Sequence, residues 1–119
     1  MQVEMLLLKE LHHEHIVSLL GAGFLPDGRR FVALEYLSGG TLSEVLRARR
    51  STPMRVSRVM QVLDLALALC NALEYLHDVA VPGRIVCHRD LKPDNIGFAA
   101  DGSLKVIDFG LGKVCCLHI

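Results

Sequence analysis

His88-Arg89-Asp90-Leu91-Lys92-Pro93-Asp94-Asn95, with Asp108-Phe109-Gly110 following, is the stretch on which the reading of this 119-residue chain turns. A candidate proton acceptor (Asp90), a cation suited to phosphate (Lys92) and two oxygen donors suited to a hard metal ion (Asn95, Asp108) fall within twenty-one residues. Taken singly, each has a bland reading, since Asp and Asn are common loop residues whose side chains close turns on nearby backbone. Taken in this order, with Asn95 and Asp108 five and eighteen residues after Asp90, they describe a site rather than a turn.

Working outward, Ile85-Val86-Cys87 is a short apolar run that leads into the motif, turned there by Pro82-Gly83. Downstream, Ile96 to Ala99 and Leu104 to Ile107 flank Asp101-Gly102, the dipeptide of a tight hairpin. Upstream, Val56 to His77 predicts a long apolar helix, preceded by a break at Ser51 to Pro53. Gln61, Asp64, Asn71 and Glu74 interrupt its apolar run, which therefore reads as a buried helix and not as a membrane span. Thr41-Leu42-Ser43-Glu44 has the form of a capping box and starts a short helix ending near Arg49, after the joint Ser38-Gly39-Gly40. Ile16 to Leu20 and Phe31 to Tyr36, parted by Pro26-Asp27-Gly28, read as two antiparallel strands. Val3 to Leu11 places Glu4, Leu7, Leu8 and Leu11 near one helical face.

Composition narrows the function classes. Lys plus Arg and Asp plus Glu both number 13, so net charge favours neither nucleic acid nor an anionic membrane surface as partner. Arg47, Arg49 and Arg50 suit a solvated helix C-terminus. The four cysteines form no CxxC pair and no disulfide framework, which suits a reducing, cytoplasmic setting. His12, His13 and His15 have no matching pair at zinc-finger spacing. No basic start or cleavage site marks a signal peptide. With 51% hydrophobic residues and a mean hydropathy of +0.37, the chain carries more apolar surface than a small free-standing domain covers, as expected of a cut through a larger core.

The order H-R-D-L-x-x-x-N then D-F-G resembles the catalytic core of a protein kinase. The resemblance covers nearly all of the chain and implies an α+β, protein-kinase-like two-lobed fold, incomplete, running from the helix called C to the start of the activation segment. It divides the chain into residues 1–34 as a remnant of the N-lobe, 35–40 as the hinge, and 41–119 as the first part of the C-lobe. It implies ATP and Mg2+ as cofactors and a protein Ser or Thr hydroxyl as acceptor. Asp90 would accept the hydroxyl proton, Lys92 would meet the transferring phosphate as a point charge, and Asn95 and Asp108 would hold magnesium. Lys at position 92 favours Ser/Thr over Tyr. The Glu35 carbonyl and Leu37 amide would face adenine, with Leu34 as gatekeeper. Glu4 would pair with a strand lysine outside this chain, and Arg89 with a phosphorylated loop. Leu8, Leu19, His88 and Phe109 would stack between lobes, with Gly110 closing the D-F-G motif. The style of H-x-H-x-V-x-L-L-G and E-Y-L-x-G-G-T-L resembles the tyrosine-kinase-like branch of Ser/Thr kinases.

Three departures from the pattern carry consequences. Gly97 stands where the family places a bulky apolar residue beneath adenine, which would thin the nucleotide floor. A glycine-rich loop and a V-A-x-K strand are not in these 119 residues. After Gly110-Leu111-Gly112-Lys113 the run Val114 to Ile119 leaves the pattern, as in a truncated gene model or read-through, and Met1 reads as an internal methionine. Phosphoryl transfer depends on groups acting as a unit, so the isolated chain is expected to be nearly inactive. The alternative is a non-catalytic, pseudokinase-like binding or regulatory module; a chain without stable structure is a third possibility.

Overall fold

The Asp101-Gly102 hairpin forms as its sequence demands and organises everything around the site. Gly102 adopts a left-handed φ of 85°, which a side chain would resist, and its N–H donates to the Ala99 carbonyl at 2.9 Å. Asp101 accepts from both the amide and the hydroxyl of Ser103, and the hydroxyl bond leads in holding its carboxyl below the usual range. The computed structural model describes residues 7–50, 56–108 and 112–116. The expectations for Glu4, Phe109 and Gly110 lie outside the described residues.

A helical turn at residues 7–10 opens the described chain. Strands β1 (Leu19–Phe24) and β2 (Arg30–Leu34) follow, then helices α1 (Leu42–Ala48) and α2 (Val56–Glu74). A π-helical turn (Tyr75–Val79), strand β3 (Arg84–Cys87), a 3-10 turn (Pro93–Asn95), β4 (Ile96–Phe98), β5 (Leu104–Val106) and β6 (Lys113–Cys116) complete it. The strands make three antiparallel pairs: β1 with β2, β3 with β6, and β4 with β5. Mixed helix and strand content is thus present, in the order expected as far as β5, with β6 in addition.

In the β4–β5 pair Ile96 faces Val106 and Phe98 faces Leu104, so all four side chains share one face, and all four are buried. Leu7, Leu8, Leu11, Ile16, Val17, Ala72, Leu76 and Val86 join them in one core. Ile16 and Val17 are not part of the first strand as expected. They bridge to Val106 instead, with the Val17 N–H on the Val106 carbonyl at 3.0 Å, so β1 starts at Leu19. Core contact outcompetes hairpin pairing for this apolar run.

The helix α2 differs from expectation in its surroundings. Ala72 and Leu76 are fully buried, yet Val59, Met60, Val62, Leu63 and Leu67 are exposed. Only part of the apolar surface of this helix is packed, so it is not the buried helix that its composition suggested. Residues Arg58–Val79 are long and apolar enough to cross a membrane, by length and composition only. The burial of Ala72 and Leu76 in the shared core ties this helix to the hairpin instead.

Thr41 caps α1, its Oγ1 accepting from the Glu44 N–H at 3.2 Å. Thr41→Ala should lower stability by about 1 kcal/mol in a denaturant titration. Residues 39–41 run against β4, with the Gly39 N–H on the Phe98 carbonyl at 2.9 Å and the Phe98 N–H on the Gly40 carbonyl at 2.9 Å. A Cβ at position 39 would lie 2.7 Å from the Phe98 Cβ and 2.9 Å from its carbonyl oxygen. Neither is the free end of a side chain, so Gly39→Ala should cost about 1–3 kcal/mol in the same titration.

Candidate active site

The site is assembled on the loop between β3 and β4. His88 sits at the end of β3, buried, with Nε2 2.7 Å from the Ile107 carbonyl. Its Nδ1 accepts the Asp90 N–H at 3.1 Å, so the ring carries its proton on Nε2, toward Ile107. A histidine used in this way is a structural brace. It joins the loop to the residue before Asp108 and orients the backbone that bears Asp90.

Between these anchors Arg89 has a φ of 69°, and Asp108 across the site has a φ of 59°. Non-glycine residues occupy this left-handed region at a cost of about 1–3 kcal/mol each and do so mainly at functional sites. Arg89 is held between His88 and Asp90, which are bonded to each other, and Asp108 follows Ile107, whose N–H and carbonyl are both bonded.

Asp90 is gripped at both carboxylate oxygens. Asn95 Nδ2 donates to Oδ2 at 3.1 Å and to the Asp90 carbonyl at 2.8 Å, while Lys92 Nζ lies 3.7 Å from Oδ1. Pro93 begins the 3-10 turn that swings Asn95 back toward Asp90, closed by the Asn95 N–H on the Lys92 carbonyl at 2.9 Å. The Lys92–Asp90 pair is half exposed, so it orients more than it stabilises. Asp108 is brought in by the hairpin: the Ile107 N–H donates to the Asn95 carbonyl at 2.9 Å, setting Asp108 beside the Asn95 backbone.

These donors fit a magnesium ion by chemistry. The Asn95 amide turns its NH2 to Asp90 and therefore its oxygen the other way, while Asp108 adds an exposed carboxylate. Both are hard oxygen donors, and Mg2+ typically binds one or two such protein groups together with phosphate oxygens and water. Among the described residues no group of three or more His, Cys, Asp or Glu could hold a metal, so a ligand's phosphates would have to supply part of the shell.

The residues expected at the hinge lie against the same hairpin. Leu34 ends β2 opposite Leu19, and both pack on the core. The Glu35 N–H is taken by the Ser18 carbonyl at 3.0 Å, and its side chain accepts the Ser18 N–H at 2.9 Å and lies 3.7 Å from Lys105 Nζ. Glu35 therefore braces β2 against β1 and β5 with its side chain, a role that sequence reasoning missed. Tyr36 is exposed. A Cβ built on Gly97 would lie 2.6 Å from Leu37 Cδ1. Leu37 thus occupies the space that a larger residue at 97 would take. The absent side chain at Gly97 was the one signal in the sequence for this exchange.

Of the other expected residues, Leu8 is buried and Leu19 half-buried against the core, and His88 is buried against the Ile107 carbonyl. Arg89 is exposed. The described structure brings Asp90, Lys92 and Asn95 together, sets Asp108 next to the Ile107–Asn95 backbone bond, and joins residues 39–41 to β4 immediately beyond Asn95.

Comparison with known proteins gives a consistent result. The sequence pattern of the protein kinase domain matches residues 1–117. Serine/threonine-protein kinase pakC of Dictyostelium discoideum is 35% identical over 107 residues, covering 90% of this chain and 21% of its own length. Receptor-like kinase LIP2 of Arabidopsis thaliana is 40% identical over 116 residues, covering 95% and 20%. A probable serine/threonine-protein kinase of the same plant, PBL26, is 40% identical over 114 residues, covering 94% and 26%. The chain therefore spans about a fifth to a quarter of the length of these relatives.

Proposed function

Because the chain belongs to the protein kinase family, with the domain pattern running through residues 1–117, we propose that its site moves the γ-phosphoryl group of ATP to a serine or threonine hydroxyl of a protein. The observation that carries this reading is the grip on Asp90, whose two carboxylate oxygens meet Asn95 Nδ2 and Lys92 Nζ. Phosphoryl transfer asks the protein mainly for positioning and for neutralisation of phosphate charge. Asp90 would receive the acceptor hydroxyl and take its proton. Lys92, held by the same carboxylate, would lie where the transferring phosphate passes, and a lysine at that place supports Ser/Thr over Tyr. Asn95 and Asp108 would hold Mg2+, which when bound offsets charge on the phosphate oxygens.

The purine would meet the backbone at Glu35 and Leu37 behind Leu34, with Leu37 and Gly97 together forming the floor. We place residues 1–34 with the smaller lobe, 35–40 at the hinge and 41–119 in the larger lobe. The receptor-like relatives support the tyrosine-kinase-like branch, and a reducing, cytoplasmic setting is proposed from the cysteine spacing of the sequence. The 119 residues contain no glycine-rich loop and no V-A-x-K strand. Their own turnover is therefore proposed to be slight.

The test is a transfer assay with γ-labelled ATP and Mg2+ on the longest natural polypeptide that contains this chain, followed by phosphoamino-acid analysis. Label on phosphoserine or phosphothreonine is the expected result. ATP binding with no transfer to any acceptor would shift the reading to a regulatory module.

A further inference from the structure

Residues 12–15 carry three histidines and join the opening helical turn to Ile16 and Val17 of the core. His13 is half-buried, its ring against Tyr75 of the π-helical turn, with centroids 5.0 Å apart and planes tilted by 31°. The Tyr75 hydroxyl accepts the His12 N–H at 2.9 Å, so the tyrosine holds this segment by its ring and its hydroxyl together. His13 Nδ1 in turn accepts the His15 N–H at 3.0 Å. A backbone amide only donates, so this bond exists only while His13 is neutral with its proton on Nε2.

The two neighbouring rings answer a further proton differently. His15 Nδ1 lies 2.9 Å from the Leu104 carbonyl, which only accepts, so Nδ1 carries the proton and Nε2 is left facing Glu14 Oε1 at 3.6 Å. A second proton on His15 would meet a carboxylate. On His13 it must land on Nδ1, where the His15 N–H already points. The groups around His13 are Glu14 and His15 of its own segment, Glu74 and Tyr75 where α2 ends, and Lys105 of β5. Burial first, and then the charge of His15, hold the His13 imidazole below the ordinary histidine range; Lys105 acts in the same sense and Glu14 against it.

We propose that His13 is an acid-sensitive latch: a proton taken from solvent by Nδ1 expels the His15 amide and loosens residues 12–15 from Tyr75 and from β5. The effect reaches the hairpin because the His15 carbonyl accepts the Val106 N–H at 2.9 Å and the Val17 N–H donates to the Val106 carbonyl at 3.0 Å. Val106 stands two residues before Asp108, so the latch bears on the strand that delivers that carboxylate. An unfolded chain takes the His13 proton near the ordinary 6.5, and the folded chain only at lower pH. The stability that the latch contributes is therefore complete at neutral pH and is lost as pH falls below 6.5 through the lower folded value.

His13→Asn separates the latch from the fold. An asparagine oxygen accepts the N–H two residues on, as His13 Nδ1 does, and it never titrates. Thermal unfolding of the 119-residue chain is measured at pH 7.5 and pH 5.5 for both proteins. The wild-type midpoint is expected to fall by about 3 °C or more beyond the fall of the variant. In NMR titrations the His13 ring signals, identified by their absence from the variant, should titrate below 6.5. Equal acid losses in the two proteins would overturn the proposal. Titration of His13 at or above 6.5, the behaviour of a segment that is not folded, would overturn it as well.

Discussion

Asp90→Asn is expected to lower phosphoryl transfer by about 10²–10⁴-fold, while ATP and Mg2+ binding stay within about twofold of the wild type. The substitution keeps the shape of the side chain, so His88 still receives the Asp90 N–H and the loop backbone is retained. What is lost is the acceptor for the incoming hydroxyl proton. An amide also sets an NH2 or a weaker oxygen against Asn95 Nδ2 and Lys92 Nζ, both of which now meet carboxylate oxygens. The measurement compares kcat and nucleotide affinity in the longest natural polypeptide containing this chain. Unchanged turnover would remove Asp90 from the chemistry. Loss of nucleotide binding together with turnover would give it an architectural role instead.

The second large effect falls on stability. Leu76 has no exposed surface, sits in the π-helical turn that ends α2, and packs into the core shared by the hairpin and residues 7–17. Leu76→Ala should cost about 2–5 kcal/mol, a large share of the 5–15 kcal/mol by which domains are stable. Leu67→Ala, nine residues earlier and 62% exposed, should cost less than about 0.5 kcal/mol in the same 119-residue chain. Equal losses at the two positions would mean that α2 packs on a different face. A broad transition without a baseline would favour a chain lacking a unique structure.

How legible all this was in the sequence depends on how local the causes are. The loop from His88 to Asn95 could be read because the bonds His88–Asp90 and Asp90–Asn95 close within a few residues, as do the turns at Gly28 and Gly102 and the cap at Thr41. Boundaries moved where a distant partner decided them. Ile16 and Val17 look like the start of a strand, but Val106, about ninety residues on, takes them. The run from Val114 reads as leaving the family pattern and gives no strand signal, yet the kinase-domain pattern extends through residue 117, and residues 113–116 pair in register with β3, from Arg84 opposite Cys116 to Cys87 opposite Lys113. The filling of Gly97 by Leu37 joins residues sixty apart, and no period in the sequence encodes it. The exposed side of α2 was misjudged because composition reports how apolar a helix is, not how many of its faces find a partner.

The double hold on Asp90 also sets what can vary around it. Leu91, Lys92, Pro93 and Asp94 are exposed, and the bonds that fix Asp90 come from His88, which takes its backbone N–H, and from Asn95, which meets its carboxylate. The intervening residues therefore act as a ruler. Their number brings Asn95 back to Asp90, while the side chains at 91 and 94 point to solvent and can change with little effect on the acid. Sequence drift at those two places should be silent, whereas inserting or deleting one residue would separate the two anchors at a stroke. In this segment heredity has to conserve a distance more strictly than an alphabet.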